Sequence, residues 1–369
     1  MLTNKPKHIL IAPLDWGLGH TTRCVPLISY IQSLGHNVTV AGNASQRAYI
    51  EETFGLIDFI HLEGYNIRYS EWNKWAQAGL LSQSPAIKRT INSEHKWLQK
   101  LSAERKIDGI ISDNRYGLFH PDIPSVILTH QLQVQTGLGP VANLAVQKIH
   151  YHLLNRFNAT WVVDVPGTPN LGGNLSHSSA QPRHTKYIGL LSRFANIEEV
   201  PLPENEGEEC PLVILLSGPE PQRSILSHVL WQQSLGYEGK MIFIEGSELA
   251  TPPDNIPPPI TYYKRLTHQQ LAPILQKAGM VICRSGYSTL MDLVALGKKA
   301  ILIPTPGQTE QLYLGRHLHK QDIFYSTSQQ SFNLISALNE ANQFPYNPLK
   351  LQPAYNLHKD VLDKWLAAL

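Results

Sequence analysis

The chain has 369 residues, of which 42% are hydrophobic and 16% charged, with a formal net charge of +2. That length exceeds the roughly 250–300 residues at which a single core stops growing, so two domains are expected, and so small a charge imbalance gives no global electrostatic case for a nucleic-acid partner. Only Cys24, Cys210 and Cys283 occur, far apart and odd in number, which suits reduced thiols acting as packing residues in a cytoplasmic protein better than a disulfide scaffold.

In chain order, the first half alternates short apolar runs with helical patterns. HILIAP at 8–13 is a predicted buried strand, and it leads into LDWGLGHTTRC, whose glycines let backbone approach backbone or ligand closely. Thr21 and Thr22 are placed to cap a helix over about 22–34, in which Leu27, Ile31 and Leu34 recur at helical spacing before Gly35 stops it. NVTVAG, a helix near 44–54, and then IDGIISD, PSVILTH and ATWVVD continue the alternation. Strands interleaved with helices argue for a parallel sheet covered on both faces, with right-handed crossovers.

Residues 192–211, SRFANIEEVPLPENEGEECP, are acidic, contain proline and lack apolar periodicity, as an interdomain linker does. The pattern restarts with LVILLSG, KMIFIEG, ITYYKRL, GMVICRSG and KKAILIPTP, interleaved with helices such as TLMDLVALG. The expected organisation is a Rossmann-like domain over 1–191, the linker, a second such domain over 212–355, and a C-terminal helix over 356–369 packing back on the first. Two doubly wound α/β domains facing a cleft would put the carboxyl ends of both sheets, where such sheets bind ligands, around it.

Residues 280–303 read as strand, turn, helix, a stop at Gly297, and strand again. Ser285 and Gly286 open the helix, so the amides near Gly286, Tyr287 and Ser288 and the positive helix end form an anion site, with Arg284 as a cation beside it. An ordinary N-cap with a surface arginine is the plainer alternative on this turn alone. Asp292 in the same helix suits ribose hydroxyls, and PTPGQTEQ after the next strand offers Gln308, Glu310 and Gln311 to a sugar.

CRSGYSTLMDLVALGKKAILIPTPGQTEQ resembles the donor-binding half of the MurG-type glycosyltransferases, of the family 28 C-terminal-domain type, whose GT-B fold holds a nucleoside diphosphate sugar in its C-terminal domain. The resemblance implies that Ser285 and Gly286 meet the pyrophosphate, that Asp292 holds the ribose in place of the usual glutamate, and that Gln308, Glu310 and Gln311 contact the sugar. The base would be met by backbone near Arg265 and Leu266. The opening loop is similar to that of the same family through Gly17, Gly19, His20 and Pro26, of which Gly17 and Gly19, with Arg23, would lie on the acceptor side, and THQLQ, with His130 and Gln131, resembles the loop that closes that side. One feature departs from the pattern: the first loop of the second half, LLSGPEPQRS, has Gly218 alone and two prolines, which lack the N–H of a phosphate cradle, so Ser217, Gly218 and Arg223 match weakly.

These residues and the resemblance imply a metal-independent, inverting transfer from a nucleoside diphosphate sugar, a UDP-sugar by resemblance, to an acceptor hydroxyl. The positive helix end would meet the departing diphosphate in place of a cation, and no cofactor beyond the donor substrate is implied. His20, with an ordinary pKa near 6.5, is placed to take the acceptor's proton, the alternative being a histidine that caps its own helix. HYH at 150–152 and HLH at 317–319 have spacing that diverges on a helix, so no metal site is expected. GLGHTTRC is also similar to the opening loop of PseG-type nucleotide-sugar hydrolases, where the histidine activates water, and a non-catalytic nucleotide-sugar binder is a third reading.

An acceptor site is offered by residues 65–106, with eight arginines and lysines against three glutamates, a net +5. Ile87, Ile91, Leu98 and Leu101 at helical spacing suit a core. Trp72, Trp75, Leu80 and Leu81 beside Lys74, Lys88 and Arg89 suit peripheral docking of a lipid-linked acceptor at an anionic membrane surface, the inner face of the cell membrane, or equally a basic surface over a helical hairpin. No apolar run approaches the roughly 20 residues of a membrane span, and the N-terminal run is too short for a secretory signal.

Overall fold

The computed structural model describes residues 5–65, 84–134, 139–195, 197 and 210–369. They fall in two compact units, one holding the residues up to Ser192 together with Gln352–Leu369, the other Arg193–Leu351.

The first unit is built on a parallel sheet of β1 (His8–Pro13), β2 (Asn37–Gly42), β3 (Asp58–His61), β4 (Gly109–Asp113), β5 (Ser125–Thr129), β6 (Ala159–Val162) and β7 (Thr185–Tyr187), in the order β3-β2-β1-β4-β5-β6-β7. Its helices are α1 (Gly19–Ser33), α2 (Ala44–Phe54), α3 (Ser84–Glu104) and α4 (Pro140–Leu154). Strands covered on both faces read as unbroken apolar runs, and Ile9, Leu10 and Ile11 in β1 are all fully buried. β1 pairs with β2 on one side and with β4 on the other, with Pro13 opposite Asp113. The strand order reverses there, so the carboxyl ends of β1 and β4 open on the position where such sheets bind ligands.

β3 and β7 carry no clear sequence signal because both are short, half-exposed edge strands. Helix α1 starts a turn earlier than expected. Gly17 supplies a positive φ of 77° and the chain enters the helix at Gly19, with Leu18 at the N-cap and no side-chain cap. Thr21 and Thr22 therefore lie inside the helix, where the Thr22 hydroxyl donates to Gly19 O at 2.9 Å and Thr21 Oγ1 accepts from Gln46 Nε2 at 3.1 Å. In α3, Leu98 and Leu101 pack in the sheet's core and Ile87 and Ile91 in a second cluster with Leu14, while Lys88 and Arg89 are exposed. Arg68, Trp72, Lys74, Trp75, Leu80 and Leu81 lie outside the described residues, as do 196 and 198–209 of the expected linker.

The second unit repeats the plan with β8 (Leu212–Leu215), β9 (Met241–Ile244), β10 (Ile260–Tyr263), β11 (Met280–Cys283), β12 (Ala300–Leu302) and β13 (Tyr325–Ser326), all parallel, in the order β10-β9-β8-β11-β12-β13. Its helices are α5 (Gln222–Ser234), α6 (His268–Lys277), α7 (Tyr287–Ala295), α8 (Thr309–Lys320) and α9 (Leu334–Gln343). One face of the sheet buries Ile214, Phe243, Ile282 and Ile301, each contributing about 1.5–3 kcal/mol relative to exposure. Here the order reverses between β8 and β11, which puts the loops after these two strands at the ligand end. Cys24 and Cys283 are buried, but Cys210 is exposed, which corrects the expectation that all three thiols are packing residues.

The C-terminal helix α10 (Leu357–Leu366) belongs to the first unit. Tyr30 OH donates to Asp363 at 2.8 Å, and Trp365 meets Trp161 edge-on at 5.5 Å. The Trp365 ring lies so close over Gly109 that a Cβ there would come within 2.6 Å of it, so β4 starts with glycine. Among the described residues no helix is long and apolar enough to cross a membrane.

Candidate functional site

The reversal between β1 and β4 gathers four polar side chains. Asp113 is the last residue of β4, opposite Pro13, and the N-terminal end of α1 brings His20 and Arg23, one turn apart, onto it. His20 Nδ1 lies 3.1 Å from Asp113 Oδ2. A carboxylate only accepts, so Nδ1 carries the hydrogen and Nε2 is left with the lone pair. Arg23 grips the same carboxylate in bidentate fashion, Nε to Oδ2 at 2.8 Å and Nη2 to Oδ1, and its Nη1 donates to His130 Nδ1 at 2.8 Å. Arg23 and Asp113 are fully buried, whereas the His20 side chain keeps 14% of its surface in solvent, so it is the exposed end of the cluster.

The charges set distinct roles. Burial pushes the His20 imidazole down; Asp113 offsets part of that, Arg23 adds to it, and the net pKa is lowered. Burial pushes the Asp113 carboxyl up, but Arg23 and His20 outweigh it and hold it well below the usual carboxylate range. The result is a neutral histidine of fixed tautomer backed by an ionised carboxylate, which is what a general base requires. His20, Arg23 and His130 are all legible in the sequence. Asp113 is not singled out there, although a carboxylate ending the strand that neighbours β1 is a signal that would find it.

The loop between β1 and α1 is pinned from below. Gln46 Nε2 donates to Pro13 O at 3.2 Å and Leu14 O at 3.1 Å, while its Oε1 completes a capping box with Asn43 at the start of α2. Asp15 Oδ1 accepts from Tyr65 N at 3.1 Å, and buried Arg115 donates Nε to Pro13 O at 2.9 Å. Trp16 and Gly17 are left exposed at the tip, with Gly19 at the helix start. In the THQLQ loop, Gln131 N donates to Thr129 Oγ1 at 3.1 Å, so this residue contributes backbone to the loop's own structure.

In the second unit, α7 opens directly after β11. Gly286 is the N-cap, with no side-chain cap, and a Cβ on it would meet nothing within 4 Å, so the backbone there borders open space. The helix ladder begins with Leu290 N donating to Gly286 O at 3.0 Å, which leaves Tyr287 and Ser288 in the first turn, where helix amides face an anion. Tyr287 is buried and Ser288 half-buried. Ser285 is fully buried, and its hydroxyl donates to Gln311 O at 2.8 Å. The Gln311 side chain is also buried, its Oε1 accepting from Thr305 N at 2.9 Å, so these two side chains tie the turns after β11 and β12 together. Gln308 is the N-cap of α8 and Glu310 sits in its first turn.

Three expectations are altered here. Arg284 is not a surface arginine, and its guanidinium is turned onto backbone carbonyls. It is 1% exposed, its guanidinium donates to the carbonyls of Ile303 at 3.1 Å and Gln222 at 2.8 Å, and burial pushes it down to about 10. Arg223 is held by Glu245 at 2.6 Å and by Glu220, which places its charge on carboxylates, while Gly218 stands alone in that loop with φ of 106°. Asp292 is paired with Arg193, Nε to Oδ2 at 3.1 Å, and Arg193 also lies over the Phe194 ring. Arg193 has no sequence signal beyond being a cation in an acidic stretch. Leu266 is half-buried just before the capping box of Thr267 and Gln270 that starts α6, and neighbouring Arg265 pairs with Glu248 at 2.8 Å. His150 and His152 diverge on α4, one buried and one exposed, and no group of three or more potential ligands is placed to hold a metal among the described residues.

Residues 257–363 match the model of the glycosyltransferase family 28 C-terminal domain. Uncharacterized glycosyltransferases of Methanosarcina mazei and Methanosarcina acetivorans are each 23% identical, over 322 and 335 residues, covering 82% of this chain and 81% of theirs. Among solved structures, the fold is similar to the glycosyltransferase SnogD of Streptomyces nogalater (TM-score 0.65, 14% identity, 99% of this chain and 100% of that one). It is similar also to MurG of Acinetobacter baumannii (TM-score 0.55, 13% identity, 98% and 100%) and to SsfS6 of Streptomyces sp. SF2575 complexed with thymidine diphosphate (TM-score 0.59, 16% identity, 97% and 96%). The two units thus have the α/β architecture of GT-B glycosyltransferases, and the family 28 match supports glycosyl transfer.

Proposed function

We propose that the protein transfers a sugar, with inversion and without a metal ion, from a nucleoside diphosphate sugar to an acceptor hydroxyl. The observation that carries this is the His20–Asp113 pair: a neutral imidazole, its basic Nε2 fixed by the Nδ1 hydrogen bond at 3.1 Å and its ring reaching solvent at the carboxyl ends of β1 and β4. Nε2 takes the acceptor's proton as that oxygen bonds to the anomeric carbon and the bond from this carbon to the phosphate oxygen breaks. Asp113 stabilises the imidazolium formed. In the second unit, the start of α7 at Gly286 meets the diphosphate, whose growing negative charge the helix dipole favours. Asp292 reaches the ribose, in exchange for or beside its pair with Arg193.

The donor is a UDP-sugar by resemblance, and SsfS6 with its thymidine diphosphate makes the thymidine series the necessary control. The acceptor is lipid-linked and presented at an anionic surface, a reading supported by exposed Lys88 and Arg89 on a segment of net +5. A thermal-shift panel of nucleoside diphosphates and their sugars tests the donor, because a ligand at 100 times its Kd stabilises by about 2.7 kcal/mol. The selected sugar nucleotide is then incubated with and without membrane lipid extract. Lipid-dependent loss of donor with a glycosylated lipid product supports the reading. Free sugar released at the same rate without any acceptor replaces transfer by hydrolysis, and binding without turnover makes the protein a sugar-nucleotide binder.

A further inference from the structure

The loop after β5 carries His130 onto Arg23, and a buried histidine in α4 holds that loop from the other side. His150 is 7% exposed, with Nε2 2.9 Å from Gln131 O and Nδ1 3.2 Å from Tyr116 OH. A carbonyl only accepts, so Nε2 carries the hydrogen, Nδ1 is the acceptor, and the Tyr116 hydroxyl donates to it. Burial pushes the imidazole down to about 4, which agrees with a ring that stays neutral and keeps this tautomer.

Tyr116 is itself fixed. Its backbone N donates to Tyr65 OH at 3.2 Å, and that hydroxyl donates to buried Glu94 at 2.8 Å. Glu94 also accepts from Gly117 N at 3.0 Å and pairs with fully buried Arg115 at 2.9 Å. On the far side of the loop, Leu175 O accepts from Leu132 N at 2.6 Å and Gln133 N at 3.0 Å. The carbonyl next to His130 is thus held by a side chain anchored in a buried hydrogen-bonded network, while the residues beyond it are held by backbone.

We propose that His150 is a positioning residue for the site, holding Gln131 so that the His130 ring stays on Arg23 and Arg23 stays square to Asp113. The geometry has a direct chemical consequence. Arg23 Nη1 donates to His130 Nδ1, so His130 carries its hydrogen on Nε2, and a displaced loop would let this ring choose the other tautomer. The guanidinium would then lose its contact with His130 and turn on the carboxylate that fixes His20. A role for His150 in turnover rests on the reading of His20 as the base, but the effect on the His130 tautomer does not.

The experiment is therefore made first on the protein without substrate. Histidine labelled with 15N in the ring gives separate nitrogen shifts for each tautomer, assigned with His20→Gln and His130→Gln. His150→Phe removes both hydrogen bonds, while His150→Gln keeps an N–H for Gln131 O. The expected result is that His150→Phe, folded by circular dichroism, moves the His130 ring nitrogens away from the single Nε2–H tautomer, and that His150→Gln restores them. Donor turnover should then fall about tenfold or more in His150→Phe with nucleotide Kd within twofold, and recover in His150→Gln. Unchanged His130 nitrogens in folded His150→Phe, or a Gln variant as perturbed as Phe, overturns the proposal whatever the activity. Perturbed nitrogens with unchanged turnover overturn the link to catalysis and count against His20 as base.

Discussion

Replacing Asp113 by Asn keeps the shape of a buried group and removes its charge. Two nitrogen donors converge on Oδ2, Arg23 Nε at 2.8 Å and His20 Nδ1 at 3.1 Å, with the weaker Cys24 thiol at 3.9 Å beside them, and one, Arg23 Nη2, on Oδ1. An amide has a single acceptor oxygen, so that oxygen takes the two-donor side and the NH2 group is left facing the guanidinium. His20 keeps its tautomer, but the imidazolium that forms as it takes a proton has lost its counter-charge. At an effective dielectric constant of about 20, unit charges about 4 Å apart attract by about 4 kcal/mol, a ceiling of roughly 10³-fold in rate. A fall in kcat of about 10²–10³-fold is expected, with nucleotide affinity unchanged. The influences left on His20 are burial, Arg23 and His130, all of which lower its pKa, so its titration should move further down. Arg23, buried and without its counter-charge, should cost about 3–5 kcal/mol, or roughly 6–20 °C in Tm for a unit of this size. Nucleoside diphosphate release against pH, NMR titration of the His20 ring and calorimetry read the three effects. A folded variant with kcat within threefold of the wild type, or an upward shift of the His20 titration, would refute the pairing as the source of the base.

Gly286→Ala has an allowed φ of −75° and meets nothing within 4 Å, so stability should hold or rise by about 0.4–1 kcal/mol. The new methyl occupies space a phosphate would approach, so nucleotide Kd by calorimetry should rise about tenfold, and an unchanged Kd removes this turn from the site. Asp292→Ala should weaken nucleotide binding about tenfold through loss of charged hydrogen bonds to the ribose, and unaltered affinity would show that the carboxylate serves Arg193 alone. Acid should destabilise the first unit early. His150 and His358 both have folded pKa values of about 4 against about 6.5 unfolded, so the unfolded chain binds protons first, and each loses up to about 3 kcal/mol of stability as pH falls from about 6.5 to about 4. Asp113, held below the ordinary value of about 3.9, adds a further loss only below that pH. Denaturant midpoints that stay flat between pH 7 and 4.5 would contradict this.

Much of the fold was legible because strands buried on both faces cannot hide their apolar runs. β1, β2, β4, β5 and β6 and the strands β8 to β12 coincide with the runs picked from the sequence. The edge strands β3 and β7 are short and half-exposed, and β13 is only two residues long, so none carries such a run. The candidate site was legible where its residues are contiguous. The glycine turn before α7 and the His20 loop are contiguous stretches whose residue types announce a close approach. It was illegible where partners are distant: Asp113 is 93 residues from His20 and Arg193 is 99 from Asp292. Arg284 and Arg223 also have partners that the sequence does not show, backbone carbonyls for one and the Glu245 carboxylate for the other, since both come from other turns of the chain.

His20→Ala tests the central claim most directly, because it removes the proposed base and leaves the second unit untouched. With the sugar nucleotide selected by thermal shift, kcat should fall about 10²-fold or more while nucleotide Kd stays within twofold of the wild type. Turnover near the wild-type rate, or a loss of nucleotide binding in step with activity, would contradict the assignment of His20 as the base of a glycosyl transfer.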